Sequence, residues 1–449
     1  MTIQVFRALA ILGVLAVLTT PSPVGARTQS DSVRPAVVFL DIDSPAAQLR
    51  LALNSTLAEH AFLLGEAIRT GVEEGADFES AGAALEADTV RLVDMIEGVY
   101  GADAGSSFGD LWRSHIAYLI DYTRALAEDD ADAQSLAQEQ LDDYVAAFSA
   151  LLASANPNLP QPVVADLIDE HVQQLEAVAH FSTGEYADAF SALRHTYAHM
   201  YTIGDGLAQA IAIQFPDTFT GQSMAFSPAA DLRISLDQLL GEHTILSMIA
   251  MRAGLAEDAA QKSAAAALAE NTTELSAAIG RIYGDTAGNA FEVLWQSHTD
   301  AYLDYAAGTA NEEEGLQAEA LDRLEADQND LADSLAGANP NLDAGDLTGL
   351  FRMHTQQLVT QADAYAARDF HRAYDIAHEA FVHSGIMGTE LASAIANQFP
   401  ELFPDTATAN PGGPKLAWAG LILVFVSLLT MPPAIRVAVA RAWRIPRCC

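Results

Sequence analysis

The sequence predicts an all-α protein built as two tandem homologous bundles of about six helices each, with a C-terminal transmembrane helix behind them. Three observations carry that expectation. The stretch Leu111 to Tyr122, LWRSHIAYLIDY, returns 183 residues later as LWQSHTDAYLDY, Leu294 to Tyr305. Between turn signals, apolar residues recur at spacings of three and four, the period of a helix buried on one face. An uncharged run of twenty residues, Leu416 to Ile435, is long enough to cross a bilayer.

In chain order, residues 1–26 read as a secretory leader: Arg7, the apolar run Ala8 to Leu18, a Pro-Ser-Pro break and Val24-Gly25-Ala26 before the cleavage point. Residues 27–43 are a linker, in which Ala36 to Leu40 is the one plausible extended piece. The first helical repeat covers 44–218. Its opening signal is Ser44 followed by Pro45, because a serine hydroxyl accepts an orphan N–H at a helix start and proline has none to satisfy. Turn residues near Gly75, Gly101, Glu128 to Asp132, Asn156 to Pro160 and Gly184 divide the repeat into six helices. A linker, 219–226, leads to the second repeat, 227–403, which starts on Ser227-Pro228 and breaks at corresponding places. Tyr100-Gly101 and Tyr283-Gly284 match, as do Asn156-Pro157-Asn158-Leu159 and Asn339-Pro340-Asn341-Leu342. Gln214-Phe215-Pro216 and Gln398-Phe399-Pro400 match after one inserted residue. A linker, 404–415, precedes the membrane span, 416–435. The tail, 436–449, carries Arg436, Arg441, Arg444 and Arg447, which by the positive-inside rule places it in the cytoplasm and the body outside, in the periplasm or on the cell surface.

Charge and motifs narrow the function. Sixty acidic residues against 22 basic ones give a formal net charge of -38, a surface that repels polyanions, so nucleic acid is excluded as a partner. The only cysteines are Cys448 and Cys449, and no disulfide frame holds the exported part. There is no Gly-rich phosphate loop, no His-Glu-x-x-His and no Gly-x-Ser-x-Gly. A binding protein is therefore expected over an enzyme, with no catalytic residue to name.

Eight of the twelve histidines fall in matched pairs: His60 and His243, His115 and His298, His171 and His354, His199 and His383. They lie on the first, third, fifth and sixth helices of each repeat, always on the apolar stripe. One such imidazole is ordinarily a core residue bonded to a carbonyl. Four on converging helices can all be satisfied by one metal ion, and neutral imidazole is a ligand for copper, zinc, nickel and iron. The expectation is thus one transition metal ion per repeat held by four histidines, with binding that weakens as pH falls through the histidine range near 6.5. The rival expectation is a cofactor-free interaction or envelope-structural module whose histidines are core hydrogen-bonders.

Secondary candidates accompany these. His195 and Glu379, one turn before His199 and His383, offer further ligand atoms or simply surface polarity. Glu59 and Glu242 point about 100° away from the neighbouring histidines, toward solvent or a supporting role. Asp121, Tyr122, Asp304 and Tyr305 suit capping or surface positions, and the unmatched His180, His371 and His378 read as surface residues.

The repeated Glu-His, Tyr-Gly, Leu-Trp with Ser-His, Asn-Pro-Asn-Leu and Gln-Phe-Pro motifs resemble those of exported bacterial helical domains of unknown function, some labelled copper amine oxidase-like. The resemblance spans both repeats and implies tandem copies of such a domain. Copper amine oxidases themselves are β-rich, and nothing here matches their catalytic apparatus.

Overall fold

The computed structural model describes residues 42–72, 75–256 and 258–403. The expected leader, the extended piece expected at Ala36 to Leu40, the transmembrane helix expected at 416–435 and the tail 436–449 all lie outside the described residues. Within them, no helix is long and apolar enough to cross a membrane, and no strand occurs.

The first repeat folds into α1 (Pro45–Val72), α2 (Phe78–Tyr100), α3 (Ala102–Ala127), α4 (Ala131–Ala155), α5 (Gln161–Val178) and α6 (Tyr186–Gln214), with a 3-10 turn, Ala179–Thr183, prolonging α5. After a single helical turn at Gln222–Ala225, the second repeats the plan: α7 (Pro228–Leu255), α8 (Gln261–Tyr283), α9 (Asp285–Ala310), α10 (Glu314–Ala338), α11 (Ala344–Ala366) and α12 (Phe370–Gln398). The helix starts behave as the sequence implies. Ser44 Oγ accepts the Ala47 N–H at 3.3 Å and Ser227 Oγ accepts that of Ala230 at 3.2 Å. Even the turns recur, since Gly101 and Gly284 both adopt φ 92°, a conformation that glycine enters without a Cβ clash.

Consecutive helices pack as neighbours, and the last closes on the first, so each repeat is a ring of six. The odd-numbered helices also meet one another across the middle: α1 with α3 and α5, α7 with α9 and α11. A residue on the inner face of any of these three reaches the centre of the ring.

The repeated motifs clasp one end of each ring. Tyr100 donates to Gln214 Oε1 at 2.9 Å and accepts from Asn156 Nδ2 at 3.0 Å, tying the ends of α2, α4 and α6 together. Tyr283, Gln398 and Asn339 do the same at 2.9 and 3.0 Å. Tyr-Gly, Asn-Pro-Asn-Leu and Gln-Phe-Pro are thus structural signatures, which separates them from the histidines.

One hydrophobic core runs through residues of both repeats, from Leu57 and Trp112 to Met251, Tyr302 and Phe381. Polar pairs along the seam follow a pseudo-twofold rule in which equivalent residues make equivalent contacts. Arg194 on α6 meets Glu242 on α7 at 2.9 Å, and His378 on α12, at the position equivalent to Arg194, meets Glu59 on α1 at 2.7 Å. At the other end of α1, Glu66 lies between Arg69 of its own helix and Arg252, the equivalent arginine of α7, both guanidiniums being buried with it.

Candidate metal centres

The centre of each ring is occupied by imidazole. His60 of α1, His115 of α3 and His171 of α5 form one group; His243 of α7, His298 of α9 and His354 of α11 form the other. All six are buried, and within each group one nitrogen from every ring lies within 4.8 Å of the others. Two buried three-histidine groups of this kind can hold a metal ion.

The closest approach is informative. His60 Nε2 and His115 Nε2 stand 3.3 Å apart. Two nitrogens bound at about 2.0–2.1 Å to one tetrahedral ion are separated by about 3.3 Å. The rings are held by aromatic walls: Trp112 lies 4.6 Å from His60 and 4.7 Å from His115, while Tyr144 stacks on His115 at 4.9 Å between centroids. In the second group Trp295 takes the same place, 4.8 Å from His243, and Tyr302 packs edge-on against His298 at 4.5 Å.

Burial decides the charge. Desolvation pushes His115 and His298 down to about 3 from an ordinary 6.5. It drives His60, His171, His243 and His354 well below that value too, aided by their neighbouring imidazoles. The rings are therefore neutral at physiological pH, the form that ligates a metal. The pH window expected from the sequence moves accordingly: inside the fold these groups resist protonation far below 6.5.

His199 and His383 stand apart from the groups, which corrects the expectation of four converging histidines. His199 Nε2 donates to the Leu167 carbonyl at 2.9 Å and His383 Nε2 to the Leu350 carbonyl at 3.0 Å. The physical reason is the ring topology: only odd-numbered helices meet across the centre, so a histidine on α6 or α12 reaches a carbonyl of the preceding helix, α5 or α11, instead. His195 and Glu379 are exposed. His180 pairs with Glu185 at 2.6 Å on the surface and His371 is exposed, whereas His378 is only part-exposed because it meets Glu59. Glu59 and Glu242 are buried in the seam between repeats. Asp121 pairs with Arg124 and Asp304 with Arg323, at 3.0 and 2.7 Å, and Tyr305 donates to Asp363 at 2.7 Å, away from the imidazoles.

A further group, Asp88, belongs to none of the repeated motifs. Its Oδ2 lies 3.9 Å from His60 Nδ1, each side chain being wholly buried. Its other oxygen accepts from Arg91 at 3.0 Å, and Arg91 also reaches Glu59 at 2.8 Å. Burial and the adjacent Glu59 raise the Asp88 carboxyl well above the usual carboxylate range, with Arg91 acting the other way. An available signal was an acid on the apolar stripe of α2, between Leu85 and Leu92.

The polar atoms around the groups are conspicuously unpaired. His60 Nδ1, His115 Nδ1 and His171 Nε2 have no hydrogen-bond partner, nor do His243 Nε2 and both nitrogens of His298 and His354. An unpaired buried polar atom costs about 1–3 kcal/mol; an ion bound between the Nε2 atoms of His60 and His115 would leave their Nδ1 atoms as outward donors, that of His60 facing Asp88. Comparison with family models, with curated proteins and with solved structures found no match.

Proposed function

We propose that this protein binds transition metal ions, one in each repeat, through His60, His115 and His171 and through His243, His298 and His354. The observation that carries the reading is the convergence of three neutral, fully buried imidazoles with unpaired nitrogens, twice in one chain. Three separate core histidines would each call for their own hydrogen-bond partners; one ion serves all three. An all-nitrogen donor set suits zinc, copper, nickel or iron and disfavours calcium and magnesium, which take oxygen ligands. The absence of known catalytic motifs favours a binding protein, and the leader-like start and the Arg-flanked apolar run support a location outside the cytoplasm on a membrane anchor. Protease added to spheroplasts should then digest the acidic body and spare a small tail; protection of the whole chain would reverse the orientation.

The test is metal content. Full-length protein, stripped with chelator and dialysed against zinc, copper, nickel or iron, should retain two ions per chain. His115→Ala and His298→Ala should each retain one. If the stripped chain takes up none, the imidazoles are core hydrogen-bonders and the protein is an envelope interaction or structural module. The carbonyl bonds of His199 and His383 show that this role exists in the same fold.

A further inference from the structure

We infer that the two metal sites are unequal, and that Asp88 makes the first the tighter by positioning His60. The inference rests on the metal-binding reading above. A ligating imidazole offers one nitrogen to the metal and donates the other N–H to an acceptor, which fixes its tautomer and orientation; a carboxylate serves well because it also strengthens the ligand as a base.

Behind His60 stands such a group. His60 Nδ1 and Asp88 Oδ2 are 3.9 Å apart, just beyond hydrogen-bond length, both are buried, and neither has a hydrogen-bond partner, so a small closure on metal binding would join them. Arg91 holds the second oxygen of Asp88 and leaves this one aimed at the ring. With its proton on Nδ1 toward Asp88, His60 turns the Nε2 lone pair to the place where His115 Nε2 lies, 3.3 Å away. A dication bound there supplies positive charge one ring away from the carboxylate, which favours both.

The second repeat has Asn271 at the position of Asp88. Its Nδ2 donates to Glu242 Oε2 at 2.8 Å and to the Leu239 carbonyl at 3.1 Å, and what it retains is a neutral amide oxygen without a partner, not a carboxylate. His243 Nδ1 instead accepts the indole N–H of Trp295 at 3.3 Å. A nitrogen that accepts carries no proton, so neutral His243 carries it on Nε2, the nitrogen left unpaired. Before Nε2 can ligate, the ring must change tautomer and lose the indole bond. In the first repeat the indole nitrogen of Trp112 has no partner, and His60 is free of that restraint.

Zinc titration of the full-length chain against a competing chelator tests the difference. Two steps are expected, the tight one lost in His115→Gln and the weak one lost in His298→Gln. Asp88→Asn, an isosteric change, should weaken the tight step 10–100-fold, the usual effect of removing such a support. Trp295→Phe, which releases His243 Nδ1, should strengthen the weak step, and this gain decides the matter even where Asp88→Asn folds poorly. Two equal steps, or both substitutions leaving affinities unchanged, overturn the inference while leaving metal binding intact. A wild-type chain that binds no zinc overturns the metal-binding reading and this inference together.

Discussion

Asp88, Tyr144 and Thr196 lie against the first group of histidines and Tyr302 against the second; the equivalent positions carry Asn271, Asp327 and Ala380 in the second repeat and Leu119 in the first. The helices, the seats of the imidazoles and the tryptophan wall coincide, while the polar surroundings have been exchanged. In the first group Thr196 Oγ1 lies 3.2 Å from His171 Nδ1; in the second, with alanine there, both nitrogens of His354 are left unpaired. Three ring nitrogens are unpaired in the first group and five in the second. Imidazoles that served only to complete a hydrogen-bond network would depend on those neighbours. These keep their places when the network is dismantled, which points to a role they share among themselves.

Acid should produce the largest effect, and it acts on both groups alike. Unfolding returns six imidazoles to about 6.5, whereas in the fold His115 and His298 sit at about 3 and the other four well below 6.5. Below 6.5 the unfolded chain thus binds protons that the folded chain refuses, and stability falls as pH drops, by up to about 1.4 kcal/mol per pH unit for each group. Six buried or part-buried carboxyls oppose this, Asp88, Glu176, Asp231, Asp237, Glu274 and Asp327, which desolvation raises so that they favour the fold on acidification. Asp237 reaches about 6 and Asp88 lies well above the carboxylate range, while the others act mainly nearer the ordinary carboxylate range, below the pH at which the imidazoles begin to cost stability. Chelator-treated protein should show a constant urea midpoint above pH 7 and a steep decline below pH 6. A flat profile between pH 7 and pH 5 would mean that the rings reach solvent in the fold.

Metal comes next, and it separates the groups. A ligand present at a thousandfold over its Kd stabilises the native state by about 4 kcal/mol. Zinc should raise the melting temperature of the wild-type chain, and His115→Ala should forfeit more of that rise than His298→Ala at low zinc. An equal loss in the two variants would remove the case for a stronger first site.

Smaller still is the effect of the indole nitrogens. Trp112→Phe and Trp295→Phe leave similar voids, so the difference between them isolates the N–H. Trp112 Nε1 is unpaired and Trp295 Nε1 donates to His243. Trp295→Phe should therefore cost about 1 kcal/mol more in the metal-free chain. It should also tighten the second site, because His243 is then free to carry its proton on Nδ1. Identical melting of the two variants would indicate that the bond to His243 contributes nothing.

Much of this architecture was legible before any coordinates. Helix starts and breaks follow local chemistry, serine caps and glycine turns among them, and the internal repeat supplied an independent check on each boundary. The apolar stripes likewise identify His60, His115 and His171 as inward-facing. What a stripe cannot tell is how the helices are ordered around the ring. Inward from α6 means toward the Leu167 carbonyl, while inward from α5 means toward the centre, and the two look the same in one dimension. Asp88 escaped notice for a related reason. Arg91 is its neighbour three residues along α2, but His60 belongs to α1, and the rotation of the two helices about their axes is fixed only by packing. The ion pairs joining the repeats, such as Glu66 with Arg252, lie 186 positions apart in sequence and carry no local signature.

The smallest effect is expected at His199 and His383, where the two repeats should not differ. Each donates Nε2–H to a carbonyl, at 2.9 and 3.0 Å, and the carbonyls belong to Leu167 and Leu350. Those residues lie four before His171 and His354, so in a regular helix the same carbonyl oxygens accept the backbone amides of His171 and His354 themselves. The outer histidine thereby steadies the turn that carries an inner one without touching the metal. His199→Phe or His383→Phe removes one hydrogen bond while the carbonyl keeps its helical partner, a loss of about 1 kcal/mol in stability. Each variant should still bind two zinc ions per chain, with affinities within a few-fold of wild type. Loss of one ion in either variant would instead return these histidines to the ligand set and make each centre a four-histidine site.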